Sequence, residues 1–458
     1  MTWIKTKRYI RIQFKTASGL LIGSSSSTNT DCDVLRNSKE EPYIPGSSIA
    51  GVLRDLLEEK GKEYVVKYFG DVEKNTGSGT ASPAKESRLV FHDAVLQDEK
   101  AEVSIRDHVR LDQFKTAVEG AKFDTEMLEP DSVFVTYIEQ NAAGGDPDVL
   151  DDISKLFAED RVHFGAKTSR GFGRIKDVEI KTASFNMEDC EDIKNWLKFD
   201  LYKPEYWTAK TVSCEKDSRY ALKLDLELIG GISIRQYTTD VSDNEDETLP
   251  DYRQLTAREI IETENQTHPG RKKEETRYVP VIPGSSWAGA IKHRISEFGE
   301  NLSEYLYEDN KKTNTGDYFG RVSGNEKMKS QITFSESKIY GGTDKVISRN
   351  AIDRISGGTI DGALFTEKTH YGGNCTLEIS FSKPVKNVYS DEFINAFAAA
   401  LSDLHHGYLA VGGNTAIGRG IFRIIKVNGE SVDHQQIYPL IHKKLADIND
   451  QFKGDVKQ

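Results

Sequence analysis

YIPGSSIAGVLRDLLEE at 43–59 recurs as VIPGSSWAGAIKHRISEF at 281–298, and this pair decides how the chain is read. A Pro-Gly turn leads into Ser47 and Ser48, either of which is expected to cap a helix through its hydroxyl. Apolar residues follow at Ile49, Val52, Leu53, Leu56 and Leu57, the stripe of a helix laid on a sheet. The second copy repeats the design with Ser285, Ser286, Trp287, Ala290, Ile291 and Ile295. Gly51 matches Gly289, and Arg54 matches Lys292. A strand, a turn and an amphipathic helix occurring twice predict a duplicated domain.

Working outward, RYIRIQFKTASGLLIGS at 8–24 finds its counterpart in RYALKLDLELIGGISIR at 219–235. The copies are 211 positions apart there and 238 apart at the Pro-Gly step, so the second carries an insertion within about 236–277. Inside that acidic segment, Thr256 to Glu262 reads as helical. Tyr68-Phe69-Gly70 and Tyr318-Phe319-Gly320 follow the two helices, then strands RLVFHDAVL (88–96) and QITFSESKI (331–339). Next come irregular segments sharing Arg106 with Arg349, Asp112 with Asp353, and a Thr-Glu step at Glu126 and Glu367. Each copy closes on a strand, a helix and a glycine loop: FGAKTSRGFGRI (164–175) and VGGNTAIGRGIFRI (411–424). Landmarks in one order over hundreds of residues are the mark of an internal repeat. The pattern predicts an α+β chain of two tandem ferredoxin-like domains, about 1–200 and 206–458, with a boundary region near 183–217.

The composition is that of a globular protein, with 37% hydrophobic and 29% charged residues in 458. No apolar run reaches the length of a bilayer span, and the N-terminus alternates like a strand, so no membrane association is expected. The four cysteines show no metal-ligand spacing, which fits a reduced, cytoplasmic setting. A net charge of −12 argues against a generic polyanion binder. The charge is uneven, though. SDNEDETLPD (242–251) and EDCED (188–192) are acidic, while TKRYIRIQFK and KTSRGFGR are basic, so any nucleic-acid surface is a local stripe.

The glycine loops are candidate anion sites. Gly165, Gly171 and Gly173 match Gly412, Gly418 and Gly420, and glycine lets a phosphate approach backbone N–H groups closely. Lys167 and Arg170 add charge in the first copy, and Asn414 and Arg419 stand in the second. A tight strand connection uses the same glycines. Neither loop is a P-loop, because no Gly-Lys-Ser/Thr step opens a helix.

The Pro-Gly-Ser-Ser helix, the central Arg/Asp loop and the closing glycine loop, in that order, resemble the RAMP superfamily of CRISPR-associated proteins. More closely, they resemble the backbone subunits of type III effector complexes, which grip guide RNA and cut paired target RNA. The resemblance implies two such subunits fused in tandem, each with an RRM-like core and a thumb-like insertion, here 99–127 and 340–367. Guide (crRNA) and target RNA, with other effector subunits, are the implied partners. Where the family often has lysine two residues after the second serine, this chain has Ala50 and Ala288. RNA contacts would then fall on Ser47, Ser48, Arg54, Arg106, Lys167, Arg170 and Gly171, with Ser285, Ser286, Lys292, Arg349, Asn414 and Arg419 in the second half.

The resemblance also places an essential aspartate in the loop before the first helix, TNTDCDVLRNSKEEPYIPGSS. Counting against Val34-Leu35-Arg36 favours Asp31, with Asp33 as the alternative; a plain Asp-rich turn fits the same residues. Such a carboxylate would bind a divalent ion, Mg2+ in the first instance, for target cleavage, or take the proton of a 2′-hydroxyl. In the second copy Asp240, Asp243, Asp246 and Asp251 stay open, because the insertion destroys the spacing. Two other readings remain. One is a non-catalytic guide-binding scaffold. The other is a precursor-processing ribonuclease, for which His405-His406 at a helix end and His370 at a strand start supply no convincing acid–base site. A histidine at a helix C-terminus is expected to serve the helix dipole instead.

Overall fold

In a computed structural model of the protein, the described residues are 3–24, 30–71, 85–97, 101–111, 116–212, 220–237, 250–264, 272–298, 318–323, 326–382 and 389–454. The chain divides into two compact units. One comprises Met1–Ile105, Asp124–Thr168 and Phe172–Asp217; the other comprises Arg106–Phe123, Ser169–Gly171 and Ser218–Gln458.

Strand Thr6–Thr16 is the spine of the first unit. Its even positions Ile10, Ile12 and Phe14 are buried, as one face of a strand must be when a helix layer covers it. It pairs antiparallel with Val133–Ala142 on one side and Ile175–Asn186 on the other. Leu89–Phe91 and Ala94–Leu96 add to the far edge of Val133–Ala142. Helices Gly46–Leu57, Lys62–Phe69 and Val149–Ala158 send Ile49, Leu53, Val65, Ile153 and Phe157 into the same core as Ile12 and Phe14. Numbered in chain order, the main strands run 2-3-1-4 across the sheet, which is ferredoxin-like order.

The second unit repeats this architecture. Ala221–Ile229 is central, between Asn374–Phe381 and Ile421–Val427, with Ile332–Phe334 outside Asn374–Phe381. Helices Gly284–Ser296 and Asp391–His406 pack Trp287, Ile291, Phe393 and Leu401 against Leu224 and Leu226. Details of the loops repeat as well. Ser87 Oγ donates to the Tyr68 and Leu89 carbonyls, and Ser330 Oγ to those of Tyr318 and Ile332. The chain is thus α+β, two ferredoxin-like domains in tandem, as the repeat predicts.

The Pro-Gly-Ser-Ser step works differently from expectation. Pro45 and Pro283 occupy the N-cap positions, and neither helix has a side-chain cap from its own serines. The serines lie inside the first turn instead, with the Ser48 and Ser286 amides already turned back to the Pro45 and Pro283 carbonyls at 2.9 Å each. The glycines carry the motif. A Cβ on Gly46 would sit 2.3 Å from the Phe91 carbonyl oxygen, and one on Gly284 would sit 2.2 Å from that of Phe334. A strand carbonyl therefore passes where any other side chain would stand. In the first copy the helix end is capped from the link that follows that strand, Gly46 N donating to Asp93 Oδ1 at 2.7 Å.

The insertion differs too. Thr256–Glu264 is a strand, paired from Thr256↔Pro280 to Glu264↔Lys272 with Lys272–Ile282. The helical reading of 256–262 fails because β-branched Thr256, Ile260, Ile261 and Thr263 find cross-strand partners that periodicity cannot show. Glu259 anchors this hairpin through Arg277 (2.6 Å), Lys338 (3.1 Å) and Tyr340 (2.7 Å). Burial opposes ionisation of Glu259, yet the bonds from Tyr340 and Arg277 and the Lys338 charge win and hold it at about 2. No described helix is long and apolar enough to cross a membrane.

Candidate functional site

The loop before the first helix is strapped onto the second arm of a long hairpin, Val103–Leu111 and Ala117–Leu128. Glu126 N donates to the Cys32 carbonyl at 3.0 Å. The buried Glu126 carboxylate accepts from Val34 N at 3.0 Å and from Arg36 Nη2 at 3.3 Å. These bonds fix Asp31 and Asp33 in opposite settings. Asp33 is buried, its Oδ1 accepting from Thr30 N at 2.9 Å and Thr30 Oγ1 at 2.8 Å. That carboxylate closes a turn and points away from solvent.

Asp31 is exposed. Its Oδ2 accepts from Asp124 N, and its own N donates to Asp124 Oδ1, both at 3.0 Å. The reciprocal clasp leaves an outward-facing carboxylate at a fixed point on the hairpin, with a second carboxylate beside it. Two hard oxygen donors suit Mg2+, which is commonly held by one or two carboxylates with waters and phosphate oxygens completing the shell. No group of three or more potential metal ligands occurs among the described residues. Any ion here would therefore draw its remaining ligands from water or substrate oxygens.

The expected RNA-contacting residues divide. In the first copy's closing loop Arg170 is exposed, and Lys167 holds a left-handed backbone (φ 60°) between Gly165 and Gly171 (φ 82° and 89°). Lys167 Nζ lies 5.9 Å from the Phe172 ring centroid. Arg54 and Lys292 are half-exposed on corresponding helices, and Ser47 is exposed with Ser48, Ser285 and Ser286 half-exposed. Arg106 is different. Only 3% exposed, it is ion-paired to Glu336 within the same unit.

Arg349, Asn414 and Arg419 all converge on the fully buried Glu367. Arg419 Nη2 reaches Oε1 at 2.6 Å, Arg349 Nη2 reaches Oε1 at 3.0 Å, and Asn414 Nδ2 donates to Oε2 at 3.2 Å. Tyr252 adds its hydroxyl at 2.9 Å. Sequence reading missed this hub, because its members lie far apart in the chain. The three residues expected on RNA brace the fold around one carboxylate. Asn414 keeps the left-handed φ of 58° seen at Lys167, and a Cβ on Gly173 or Gly420 would lie within 2 Å of the Phe164 or Val411 carbonyl oxygen. Both closing loops are therefore built as tight strand connections, whatever else they hold.

The histidines behave differently from expectation as well. His405 is buried, accepts at Nδ1 from Ile424 N (3.2 Å) and meets His434 Nδ1 through Nε2 at 2.7 Å. Burial, with the charges of His434 and His406 adding, pushes it down to about 4. It is neutral near pH 7 and cannot serve the helix dipole as a cation. His370 lies near the end of strand Phe365–Tyr371, not at its start, with Nδ1 on Asp344 at 2.7 Å. Of the second copy's open carboxylates, Asp240, Asp243 and Asp246 lie outside the described residues, as does Asp112. Asp251 is described and exposed.

Comparison with known proteins bears on this arrangement. The RAMP superfamily model matches residues 13–176 and again 260–423. The "CRISPR system Cms endoribonuclease Csm3" of Streptococcus thermophilus is 27% identical over 228 residues, 44% of this chain and 100% of the relative. That of Methanocaldococcus jannaschii is 28% identical over 242 residues, 47% of this chain and 92% of the relative. A chain in a cryo-EM structure of the type III-B Cmr-beta bound to cognate target RNA is 17% identical, with a TM-score of 0.30, over 38% of this chain and 61% of that one. At that score it adds nothing to the fold assignment. The two family matches fall on the two copies and cover more than half the chain. The chain belongs to the RAMP superfamily and carries the family's domain twice in tandem.

Proposed function

We propose that the chain is a double backbone subunit of a type III CRISPR effector, which holds guide RNA and cuts complementary target RNA. The observation that carries this reading is Asp31, an exposed carboxylate clasped to the hairpin strand through Asp124. Relatives that match each about half the chain are named endoribonucleases, which supports RNA as its substrate. Between the two sequence candidates, burial and the Thr30 bonds disfavour Asp33.

In this reading Asp31 accepts the proton of a 2′-hydroxyl. The 2′-oxygen then attacks the adjacent phosphorus, the bond to the 5′-oxygen breaks, and that oxygen takes a proton from water. A 2′,3′-cyclic phosphate and a 5′-hydroxyl result. Asp31 and Asp124 would hold a divalent ion, which would supply charge neutralisation at the phosphate. The hairpin exposes Ile105, Val109, Leu111 and Val118, and the second copy's equivalent exposes Ile352, Ile355 and Leu364. Exposed apolar tips of this kind suit contact with unstacked bases. Guide binding must tolerate any spacer, so backbone contacts from Arg54, Arg170, Lys167 and Lys292 fit it best.

The test is Asp31→Ala in the assembled complex, with product ends analysed. Loss of cyclic-phosphate product with guide and target still bound supports cleavage by this residue. Unchanged cutting at every position leaves the scaffold reading.

A further inference from the structure

Sequence spacing cannot select the second copy's counterpart of Asp31, but hydrogen-bond register can. Four sets of bonds fix the correspondence. The glycine loops come first. Gly173 N donates to the Gly19 carbonyl and Gly420 N to that of Gly231, both at 2.8 Å. Ala166 N donates to the Leu21 carbonyl at 2.8 Å and Gly413 N to that of Ser233 at 2.7 Å. Gly19 therefore corresponds to Gly231 and Leu21 to Ser233, which makes Ile22 the counterpart of Ile234.

The loop strand follows from that step. Leu35 N donates to the Ile22 carbonyl at 2.8 Å, and Leu255 N donates to that of Ile234 at 2.7 Å. Leu35 thus corresponds to Leu255. Counting back four residues from each leads to Asp31 and Asp251.

A third strand gives the same answer by a separate route. Leu20 bridges to Leu128, and its counterpart Ile232 pairs with His370. Leu128 and His370 are then equivalent, and four residues back stand Asp124 and Thr366. The bond that joins the two routes is present in both copies. Asp31 Oδ2 accepts from Asp124 N at 3.0 Å, and Asp251 Oδ2 accepts from Thr366 N at 2.7 Å. Asp251 is exposed like Asp31.

We propose that Asp251 is the second RNA-cleaving carboxylate of this chain, doing in the second half what Asp31 does in the first. The inference rests on the reading of Asp31 given above. Its step is the same: Asp251 takes the 2′-hydroxyl proton, the 2′-oxygen bonds to phosphorus, the 5′-oxygen leaves and is protonated from water. One difference is built in. Asp31 faces a carboxylate, Asp124, whereas Asp251 faces Thr366, so the second site has one fewer charged donor for a cation.

The experiment uses the full-length chain in its assembled complex with one guide and an end-labelled complementary RNA. Cut positions are mapped for the wild type and for Asp31→Ala, Asp251→Ala and the double variant, with guide and target binding measured alongside. The expected result is that each single variant loses a different cut by at least about 100-fold, the range of general base catalysis, and the double loses both. If Asp31→Ala abolishes its cut while Asp251→Ala cuts everywhere at the wild-type rate, the inference fails and the reading of Asp31 stands. Loss of every cut in Asp31→Ala alone also overturns it. If neither variant alters any cut, the reading of Asp31 fails and this inference with it. Should Asp251→Ala weaken assembly, Asp251→Asn keeps an acceptor for Thr366 N. Retained binding with a lost cut supports the assignment, and a retained cut refutes it.

Discussion

The two copies brace their loops with different carboxylates. Glu126 in the first copy holds the buried Val34 N and Arg36, whose side chain is 30% exposed. Glu367 in the second is fully buried and gathers Arg349, Arg419, Asn414 and Tyr252. The fold is the same, but its polar interior has been redistributed. The first copy's exposed loop cation Arg170 has Ile417 at its place in the second, while the buried Arg419 stands where the first has Phe172. Duplication preserves the backbone hydrogen bonds that position Asp31 and Asp251 while side-chain networks around them diverge.

The largest stability effect expected from this contrast is at Glu367. Glu367→Ala leaves buried Arg419 without its closest carboxylate and should destabilise the second unit by about 3–5 kcal/mol. Glu126→Ala costs less, about 1–2 kcal/mol, because Arg36 can turn to water and mainly the Val34 N–H is orphaned. Urea unfolding of both variants makes the comparison; equal losses would mean the two hubs do not differ as described.

A pH effect comes next, and it belongs to the second copy. His405 stands near the end of helix Asp391–His406, whereas the matching helix of the first copy ends at Ala158. The folded ring titrates at about 4 against 6.5 when unfolded. Between those values the unfolded chain binds a proton that the folded chain refuses, so stability falls as pH drops from 6.5 to 4. The loss is on the order of 2–3 kcal/mol across the window. His405→Gln should flatten that part of the melting-temperature profile; an unchanged slope would move the effect to other groups.

The smallest effects fall at the helix starts. Asp93→Ala removes the cap on Gly46 N and should cost about 1 kcal/mol. Ser48→Ala and Ser286→Ala should each stay within about 0.5 kcal/mol, since neither serine caps its helix. Thermal melts that ranked the serines above Asp93 would reverse the assignment of the caps.

The sequence made the duplication legible because its landmarks are local: a Pro-Gly turn, a helical stripe, closing glycines. What it hid is non-local. The Thr256–Glu264 strand depends on partners at Lys272–Ile282, so its isoleucines and charges read as a helix when taken alone. The shared Thr-Glu step is also displaced: with Leu128 set against His370, Glu367 corresponds to Thr125 and not to Glu126. That shift explains why two similar motifs build dissimilar hubs. Asp251 could not be chosen among the second copy's four open aspartates for the same reason, since an insertion changes spacing without changing which amide a carboxylate accepts from. Burial, too, is absent from sequence, and it separates Asp31 from Asp33 and Arg170 from Arg106.

The most direct measurement is the single-turnover rate of target-RNA cleavage by the complex carrying Asp31→Asn, with target affinity measured on the same preparation. The account predicts a fall of at least about 100-fold in the rate at the cut assigned to the first copy, at unchanged affinity. A wild-type rate at that cut, or a loss that merely follows weakened target binding, would contradict it.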